Sequence, residues 1–369
     1  MLDIDMTNHY KVSFPVLIII ASTYACTPTT ANTDKGPYLQ NVKPNEATIC
    51  WESVKPVRSK IVYEPYVLTD VPMSINVEPN EFNEITIKGL RPGTMYSYKV
   101  IQKGKMMGYG VFTTAPAKPE PFRFAAYGDC RTDHKTHTAL LERMKPYSPA
   151  FLLSTGDLVT DGRKQSDWND FWRVVSPFAK DVPYYPILGN HEHDDPLYYK
   201  YFSLPRNGKD ESYYAFAWSN VFIIAMDSSS PQFLLADQKN WLKKALKRAE
   251  GYDFKVLFFH HPFYSSSKRD PNLHFRKVYE PIFKKYGVDL VLAGHDHFYE
   301  RSKSKDGITY VITGGGGAGL YGFERNTPES IVRKRAYHFM VFDVIDRKMT
   351  VRVIDIDGNT IDGFTLTAD

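Results

Sequence analysis

The chain has 369 residues, of which 43% are hydrophobic and 24% charged, and these are the proportions of a folded globular protein. At about 150 residues per domain, this length predicts two domains. The formal net charge of +4 is small for the length and the sequence has no basic stripe, which argues against a nucleic-acid-binding protein. Aromatic residues make up 14%, which favours strands, because aromatic side chains fit a half-buried pleated surface.

The first residues predict an export signal. An apolar run at 16–21 follows Lys11 and precedes small residues that end at Cys26. The run is shorter than the roughly 20 apolar residues of a membrane-spanning helix and has the length of a signal-peptide core. We therefore expect residues 1–26 to be a signal peptide and the protein to be exported, to the periplasm or the cell surface. Cys26 resembles a lipoprotein processing site, so a lipid on Cys26 would tether the chain to a membrane; cleavage after Ala25 is the alternative.

Residues 36–114 predict an all-β sandwich. The segments at 59–63 and 84–88 alternate in the manner of half-buried strands. A turn with Pro92-Gly93 leads into a strand whose tyrosine is placed to hydrogen bond back to the turn, which is the tyrosine corner of sandwich domains. The segment resembles a fibronectin type III domain. Three prolines in the seven residues 115–121 predict a linker that ends it.

From residue 122 the pattern alternates between strand and helix, which predicts an α/β domain at 122–369. We expect strands at 122–127, 150–154, 184–188, 255–259 and 288–292, and helices at 137–144, 237–250 and 275–286. The carboxyl end of each of these five strands is followed by a residue able to bind metal. In open α/β sheets, ligand sites gather beyond these strand ends.

The residues at the strand ends form a mixed set of carboxylate, amide and imidazole groups. They are Asp129, Asp157, Asn190, His260, His295 and His297. Such a mixture suits Mn, Fe or Zn, whereas an all-oxygen set would indicate Mg or Ca. A glycine precedes four of the strand-end residues, at 128, 156, 189 and 294, where we expect it to permit a sharp turn and a close approach of the backbone.

Five ordered blocks carry a family resemblance: 128–129, 156–158, 189–192, His260 and 294–301. They resemble the calcineurin-like metallophosphoesterases, and more closely the purple acid phosphatase branch, from about residue 122 to the last residue. A fibronectin-like domain ahead of the catalytic domain is similar to that branch too. The resemblance implies a four-layer αββα fold, built of α/β (α+β) elements, and a phosphoric ester hydrolase.

The resemblance also assigns roles to the strand-end residues. Asp129 and His297 would bind the first of two divalent metal ions. The second would be held by Asn190, His260 and His295, and Asp157 would bridge both. A metal-bridging hydroxide would attack the phosphorus in line. Next to these ligands, His191 would face the phosphoryl oxygens as a catalytic and substrate-binding residue, and Arg131 would pair with a phosphate oxygen.

Two positions depart from the purple acid phosphatases. Thr160 stands where the purple members carry the tyrosine whose iron-bound phenolate gives the colour, so we predict a colourless enzyme with a divalent metal pair. The stretch 265–270 replaces histidines that assist the leaving group in those enzymes. The general acid therefore stays open among His191, His261 and His274.

These features predict an exported phosphatase that hydrolyses small phosphate monoesters. One alternative is a phosphodiesterase that uses the same metal pair. Another is an exported binding or adhesion protein with a decayed catalytic domain, although decay predicts the loss of at least one ligand and all six are present. The sequence leaves open the natural substrate, the native metals, the pH optimum and the oligomeric state.

Several other residues are expected to be structural. We place His134 in a loop, His137 on a helix surface, and three tryptophans, Trp168, Trp172 and Trp241, in the core. Cys50 and Cys130 are expected to be free thiols. The glycines at 314–317 are expected to form a turn near the site.

Overall fold

A computed structural model describes residues 33–66, 71–229, 236–271, 273–304 and 306–368, which belong to one compact unit. The predicted signal peptide and Cys26 lie outside these ranges. Within them, no helix is long and apolar enough to cross a membrane. The two cysteines in the described part, Cys50 and Cys130, are buried free thiols, as predicted.

The N-terminal part is all β, as predicted. Its strands are β1 (Thr33–Gln40), β2 (Glu46–Pro65), β3 (Met73–Lys88), β4 (Met95–Gln102) and β5 (Lys105–Thr113). They pair antiparallel in the order β1-β2-β4-β5, with β3 paired to β2. The first half of β2 bonds to β1 and the second half to β4, with a register shift between them. The Tyr96 hydroxyl accepts a hydrogen bond from the Arg91 backbone N–H at 2.9 Å, which confirms the tyrosine corner.

This β-rich region packs against the rest of the unit through aromatic side chains. The Tyr38 ring stacks on Trp172 with centroids 3.8 Å apart, and its hydroxyl donates to the Tyr201 carbonyl at 2.7 Å. One hydrophobic core continues through both parts. The predicted boundaries, 36–114, 115–121 and 122–369, stay predictions.

Two sheets form the centre of the remaining chain. The six-stranded sheet has the order β18-β17-β16-β6-β7-β8, in which the consecutive strands β6, β7 and β8 run parallel. Its strands are β6 (Phe122–Tyr127), β7 (Leu152–Ser154), β8 (Tyr184–Pro186), β16 (His338–Ile345), β17 (Lys348–Asp355) and β18 (Thr360–Thr367).

The seven-stranded sheet has the order β15-β13-β14-β12-β11-β10-β9, with β10, β11, β12 and β14 parallel. Its strands are β9 (Tyr214–Trp218), β10 (Val221–Ala225), β11 (Phe254–Phe258), β12 (Leu290–Ala293), β13 (Tyr299–Lys303), β14 (Thr309–Thr313) and β15 (Ser330–Lys334). The parallel strands in both sheets bring their carboxyl ends to one edge.

Side chains alternate between the two faces of each sheet. Phe151 and Tyr185 of the six-stranded side contact Phe216 of β9 at 5.5 and 4.2 Å between ring centroids, so these faces meet in the core. The outer face of β10, with Phe222 and Ile224, packs in a separate hydrophobic core with helices α4 (Ala236–Arg248) and α5 (Leu273–Lys285). On the other side, α1 (His134–Met144) and α2 (Gln165–Ala179) cover the six-stranded sheet. This is the predicted αββα layering.

Two structural expectations were wrong at α1. The helix starts at His134 because the Asp133 side chain accepts hydrogen bonds from Lys135 N and Thr136 N, so His134 is helical. His137 is buried, not on the helix surface, with a ring nitrogen 2.6 Å from the Tyr127 hydroxyl.

The tryptophan prediction holds at two of three positions. Trp168 and Trp172 are fully buried on the apolar face of α2, one turn apart. Trp241 is half-buried on α4, because its indole N–H reaches outward to the Asn207 carbonyl at 2.6 Å.

Candidate metal centre

Five strand ends bring the six expected ligands to the same edge of the molecule. Strands β6, β7 and β8 of the six-stranded sheet precede Asp129, Asp157 and Asn190, while β11 and β12 precede the three histidines. Asp129, Asp157, His260 and His297 are buried. The two sheets therefore contribute to one site, with mostly oxygen donors from one sheet and nitrogen donors from the other.

A first cluster contains Asp129, Asp157 and His297, whose ligand atoms lie within 4.8 Å of one another. The Nε2 atom of His297 is 3.5 Å from Asp129 Oδ1. Its other nitrogen, Nδ1, is 2.8 Å from the carbonyl of Gly319 and donates to it. The Nε2 lone pair is thus directed at Asp129, and this buried atom has no hydrogen-bond partner among the residues that the structure describes.

A second cluster contains His260, His261 and His295. The Nδ1 atom of His260 donates to the Thr155 carbonyl at 2.8 Å, so its Nε2 atom presents a lone pair. The amide oxygen of Asn190 lies 3.1 Å from this Nε2 atom and 3.0 Å from the Nδ1 atom of His295. The ring of His261, which we expected outside the ligand set, packs beside His295 with centroids 4.5 Å apart.

Asp157 lies between the two clusters. One of its oxygens is 3.3 Å from the Nε2 atom of His260, and the same carboxylate belongs to the cluster with Asp129. Its other oxygen accepts from the Nε atom of Arg131 at 3.3 Å. This is the position that a carboxylate bridging two ions requires.

The side chains of the two clusters are arranged as ligands of a pair of metal ions. Carboxylate oxygens, an amide oxygen and imidazole nitrogens face one another, and these contacts are repulsive unless a cation or a proton lies among them. Burial raises the pKa of Asp129 to about 6, against the pull of His297. Burial also lowers the pKa of His260 and His295, which keeps both imidazoles neutral and able to bind metal.

The backbone is strained at three of these residues. Asp129, Asp157 and His295 have φ angles of 58°, 53° and 71°, in the left-handed region that costs a non-glycine residue about 1–3 kcal/mol. We expected the preceding glycines to make the sharp turn, but of these only Gly156 has a positive φ. The ligand residue itself turns the chain at the other two strand ends.

The second reason given for the glycines, a close approach of the backbone, holds at all four, since an added Cβ would lie 2.8 Å or less from another atom, and two of the four face a carboxylate. A Cβ atom on Gly294 would lie 2.4 Å from Asp129 Oδ2, and one on Gly189 would lie 2.2 Å from Asp157 Oδ1. Both glycines therefore make room for a carboxylate.

Sequence reasoning gave no role to Glu192, which lies directly beneath the site. Its buried carboxyl group accepts hydrogen bonds from the backbone N–H groups of Asp157, Leu158, Val159 and Gly189 at 2.6–3.3 Å. Burial raises the pKa of Glu192 to about 8, and the backbone donors oppose the shift. Glu192 is part of the block 189–192, and this was the signal in the sequence that could have indicated a role for it.

The substrate-binding candidates lie at the rim of the two clusters. The Nδ1 atom of His191 donates to the Thr160 carbonyl at 2.6 Å, which directs Nε2 to within 3.8 Å of Asp157 Oδ2. Arg131 contacts the same oxygen, with its Nε atom 3.3 Å from Asp157 Oδ2. Of the remaining general-acid candidates, His261 is in the second cluster, whereas His274 is exposed on α5.

Two further side chains contact the clusters, and neither was predicted. The guanidinium group of Arg269 donates to Tyr321 Oη at 2.9 Å and lies 3.0 Å from His295 Nε2. Tyr321 stacks on His297 with centroids 4.1 Å apart. The glycine turn at 314–317 is near the site, as expected, since Gly316 N donates to the Gly128 carbonyl at 2.8 Å.

Comparison with known proteins shows which families this chain is similar to. Residues 122–299 match the family model of the calcineurin-like phosphoesterases. A probable purple acid phosphatase of Arabidopsis thaliana is 29% identical over 262 residues, which are 64% of this chain and 61% of that protein. An uncharacterized protein of Mycobacterium tuberculosis is 27% identical over 269 residues, 60% of this chain and 50% of its own length. The chain thus spans about half to three fifths of the length of these relatives.

Two solved structures share the fold. The purple acid phosphatase PPD1 of yellow lupin, Lupinus luteus, has a TM-score of 0.78 at 18% identity, covering 91% of this chain and 75% of that one. PhoD has a TM-score of 0.75 at 12% identity, covering 92% and 91%. Together with the family match at residues 122–299, these findings show that the chain carries a calcineurin-like metallophosphoesterase domain and that purple acid phosphatases are among its homologues.

Proposed function

We propose that the protein is a dinuclear-metal phosphoesterase that hydrolyses phosphate monoesters by in-line attack of water. The observation that carries the proposal is the convergence of two donor clusters on one carboxylate, Asp157. Asp129 and His297 would hold one ion, and Asn190, His260 and His295 the other. Bound metal ions would lower the pKa of the attacking water and stabilise negative charge on the phosphoryl oxygens.

The residues at the rim then orient the ester. Arg131 presents its guanidinium group beside Asp157, where it can pair with a phosphoryl oxygen. His191 keeps one nitrogen on the Thr160 carbonyl, so its Nε2 atom is fixed at the site. When protonated, this atom donates a proton to the leaving alkoxide or a hydrogen bond to a phosphoryl oxygen.

The test is hydrolysis of 4-nitrophenyl phosphate beside bis(4-nitrophenyl) phosphate by protein lacking residues 1–26 and reconstituted with Mn²⁺, Zn²⁺ or Fe²⁺. Faster turnover of the monoester, lost with EDTA, supports the proposal. Faster diester turnover would instead make the protein a phosphodiesterase. Turnover of neither with any metal would favour an exported binding protein.

The metals, the partners and the location are also proposals. We propose a pair of divalent ions, Mn, Fe or Zn, from the mixed donor set, and a small phosphate ester as the substrate at this site. The apolar run at 16–21 and Cys26 support export with a lipid anchor. Fractionation tests this: the wild-type chain is expected in the membrane fraction, and a Cys26→Ser variant in the soluble exported fraction.

A further inference from the structure

The turn that presents Arg269 to the site is built by serines. This is the stretch 265–269, where the sequence departs from the purple acid phosphatases. Ser265 Oγ donates to Asp296 at 2.6 Å, and Ser266 donates to Glu300 through both Oγ, at 2.6 Å, and N, at 2.8 Å. Ser267 Oγ then accepts from Arg269 N at 3.0 Å. All three serines are buried, so the turn has a fixed conformation.

Contacts from a second segment hold the same turn. The backbone N–H groups of Glu324 and Arg325 both donate to the Ser266 carbonyl, at 2.8 and 3.0 Å, and the Thr327 hydroxyl donates to the Ser265 carbonyl at 2.9 Å. The backbone of Arg269 is therefore positioned before any ligand binds. This reduces the conformational entropy that binding costs.

The guanidinium group of Arg269 is held over the second donor cluster. It donates to the His295 carbonyl at 3.2 Å and to Tyr321 Oη at 2.9 Å, and it lies over the Tyr321 ring at 4.9 Å. The side chain is half-buried. Within the described residues, it forms no ion pair with a carboxylate.

One contact of Arg269 is incompatible with bound metal. Its Nη1 atom lies 3.0 Å from His295 Nε2, which can accept this hydrogen bond only when the proton is on Nδ1. Nδ1 is the nitrogen that faces Asn190 and His260 and that would bind the ion. If Nδ1 of His295 were the ligand, Nε2 would carry the proton and could no longer accept a hydrogen bond. Nη1 of Arg269 would then be free to donate to a ligand in the site.

Arg131 and Arg269 approach the site from different sheets. Arg131 follows β6 of the six-stranded sheet, and Arg269 follows β11 of the seven-stranded sheet. Tyr321 lies within electrostatic range of both: burial raises the pKa of its phenol, and Arg269 and then Arg131 oppose the shift. An anion bound between the two clusters would be flanked by two guanidinium groups.

We infer that Arg269 is a substrate-binding residue that selects the terminal phosphate of a monoester over a diester. This rests on the proposed function and names its substrate class. A monoester presents three terminal oxygens and carries two negative charges near neutral pH, whereas a diester presents two such oxygens and one charge. Two ions and Arg131 would pair with the oxygens of a diester, and the third oxygen of a monoester would be the partner for Arg269.

The experiment compares Arg269→Gln with Lys268→Gln, which removes the same charge from the adjacent, exposed position. Both variants and the wild type, loaded with metal and shown by elemental analysis to hold it, are assayed on 4-nitrophenyl phosphate and bis(4-nitrophenyl) phosphate. For Arg269→Gln we expect kcat/KM to fall by about 10- to 100-fold on the monoester, the loss typical of one hydrogen bond to a charged group, and by less than about 3-fold on the diester. For Lys268→Gln we expect no change.

A second readout separates this inference from the proposed function. Binding of inorganic phosphate to the metal-loaded proteins, measured by calorimetry, should weaken by about 10-fold or more in Arg269→Gln and stay unchanged in Lys268→Gln. If the wild type hydrolyses neither ester, the proposed function fails, while the phosphate result still decides the role of Arg269. Equal losses on both esters, or phosphate binding unaffected by Arg269→Gln, would overturn the inference.

Discussion

The Nε2 atom of His260 lies 3.2 Å from the Nδ1 atom of His295, although Nε2 has no proton to share. Two imidazole nitrogens and the Asn190 oxygen therefore face each other in a buried site, an arrangement that a cation stabilises. We predict that Mn²⁺ or Zn²⁺ at 100 times its Kd stabilises the metal-free protein by about 2.7 kcal/mol. Calorimetric melting after EDTA dialysis, with and without added metal, measures this, and an unchanged melting temperature at every concentration would refute the metal site.

The second prediction concerns the carboxylate shared by both clusters. Asp157→Asn keeps an oxygen for the His191 backbone N–H, which donates to Asp157 Oδ1 at 3.1 Å, but removes the charge shared by the ions. We expect kcat/KM to fall by more than about 100-fold, beyond the loss typical of residues that only support a ligand. The control is Asp170→Asn, a half-buried position on α2 paired with Arg173. Full activity in Asp157→Asn would contradict the two-metal site.

The third prediction uses the space beside Gly294. Its φ angle suits alanine, but the added Cβ would lie 2.4 Å from Asp129 Oδ2 and 2.7 Å from Thr155 Oγ1. We expect Gly294→Ala to displace the Asp129 carboxylate and to lower metal affinity by about 10-fold or more, as for lost supporting contacts. Gly322→Ala is the matched control, since a Cβ there meets nothing within 4 Å. Metal titration of both variants measures the affinities. Equal affinities would show that Asp129 accommodates the added methyl group without loss of metal binding.

The strands and the residues at their carboxyl ends were predictable because each depends on a short stretch of sequence. An apolar run followed by Gly-Asp or Gly-Asn-His locates a parallel strand and its carboxyl end, and the parallel arrangement brings distant ends together. The burial of His137 was not predictable in this way. Its neighbour Tyr127 is on β6, so the contact that buries it depends on how α1 packs on the sheet.

The parts of the site that were not predicted also depend on contacts between segments that are distant in sequence. Arg269 reaches His295 through a turn fixed by Asp296, Glu300 and the segment at 324–327, all distant in sequence. Tyr321 follows a glycine-rich loop that has no periodic pattern. Side chains placed by loop-to-loop contacts carry no local signal, whereas those placed by strand ends do.

The fourth prediction concerns colour. Threonine has no phenol group, so Thr160 offers no phenolate to an ion. It is also exposed, and its carbonyl accepts a hydrogen bond from His191. Tyr321, which stacks on His297, accepts a hydrogen bond from Arg269 through its hydroxyl oxygen, and burial raises the pKa of that phenol. We expect no visible charge-transfer band after loading with Fe³⁺, as measured by absorption spectroscopy. A purple protein would show that a tyrosine other than one at 160 binds the iron.

The fifth prediction follows from a histidine away from the metal site. His338 is buried at the start of β16, where it donates to the Ala336 carbonyl at 2.9 Å and lies 3.1 Å from Thr313 Oγ1, and burial lowers its pKa to about 4. Between its unfolded pKa of about 6.5 and this value, the unfolded chain binds a proton that the folded protein excludes. Stability from this residue is therefore complete above pH 6.5 and decreases as the pH falls, by up to about 1.4 kcal/mol per pH unit and about 3 kcal/mol in total.

His338→Gln removes this titration while keeping a side-chain donor and acceptor for the Ala336 carbonyl and Thr313. The buried His137, whose pKa burial lowers to about 3, still titrates in the variant, so some pH dependence remains. Urea unfolding of the metal-free wild type and variant at pH 7.5, 6.5, 5.5 and 5.0 gives the free energy of unfolding at each pH. We expect the difference between the two proteins to shrink by about 2 kcal/mol between pH 7.5 and 5.0, because only the wild type loses the contribution of His338. A difference that stays constant over this range would mean that His338 takes up its proton as readily in the folded protein as in the unfolded chain.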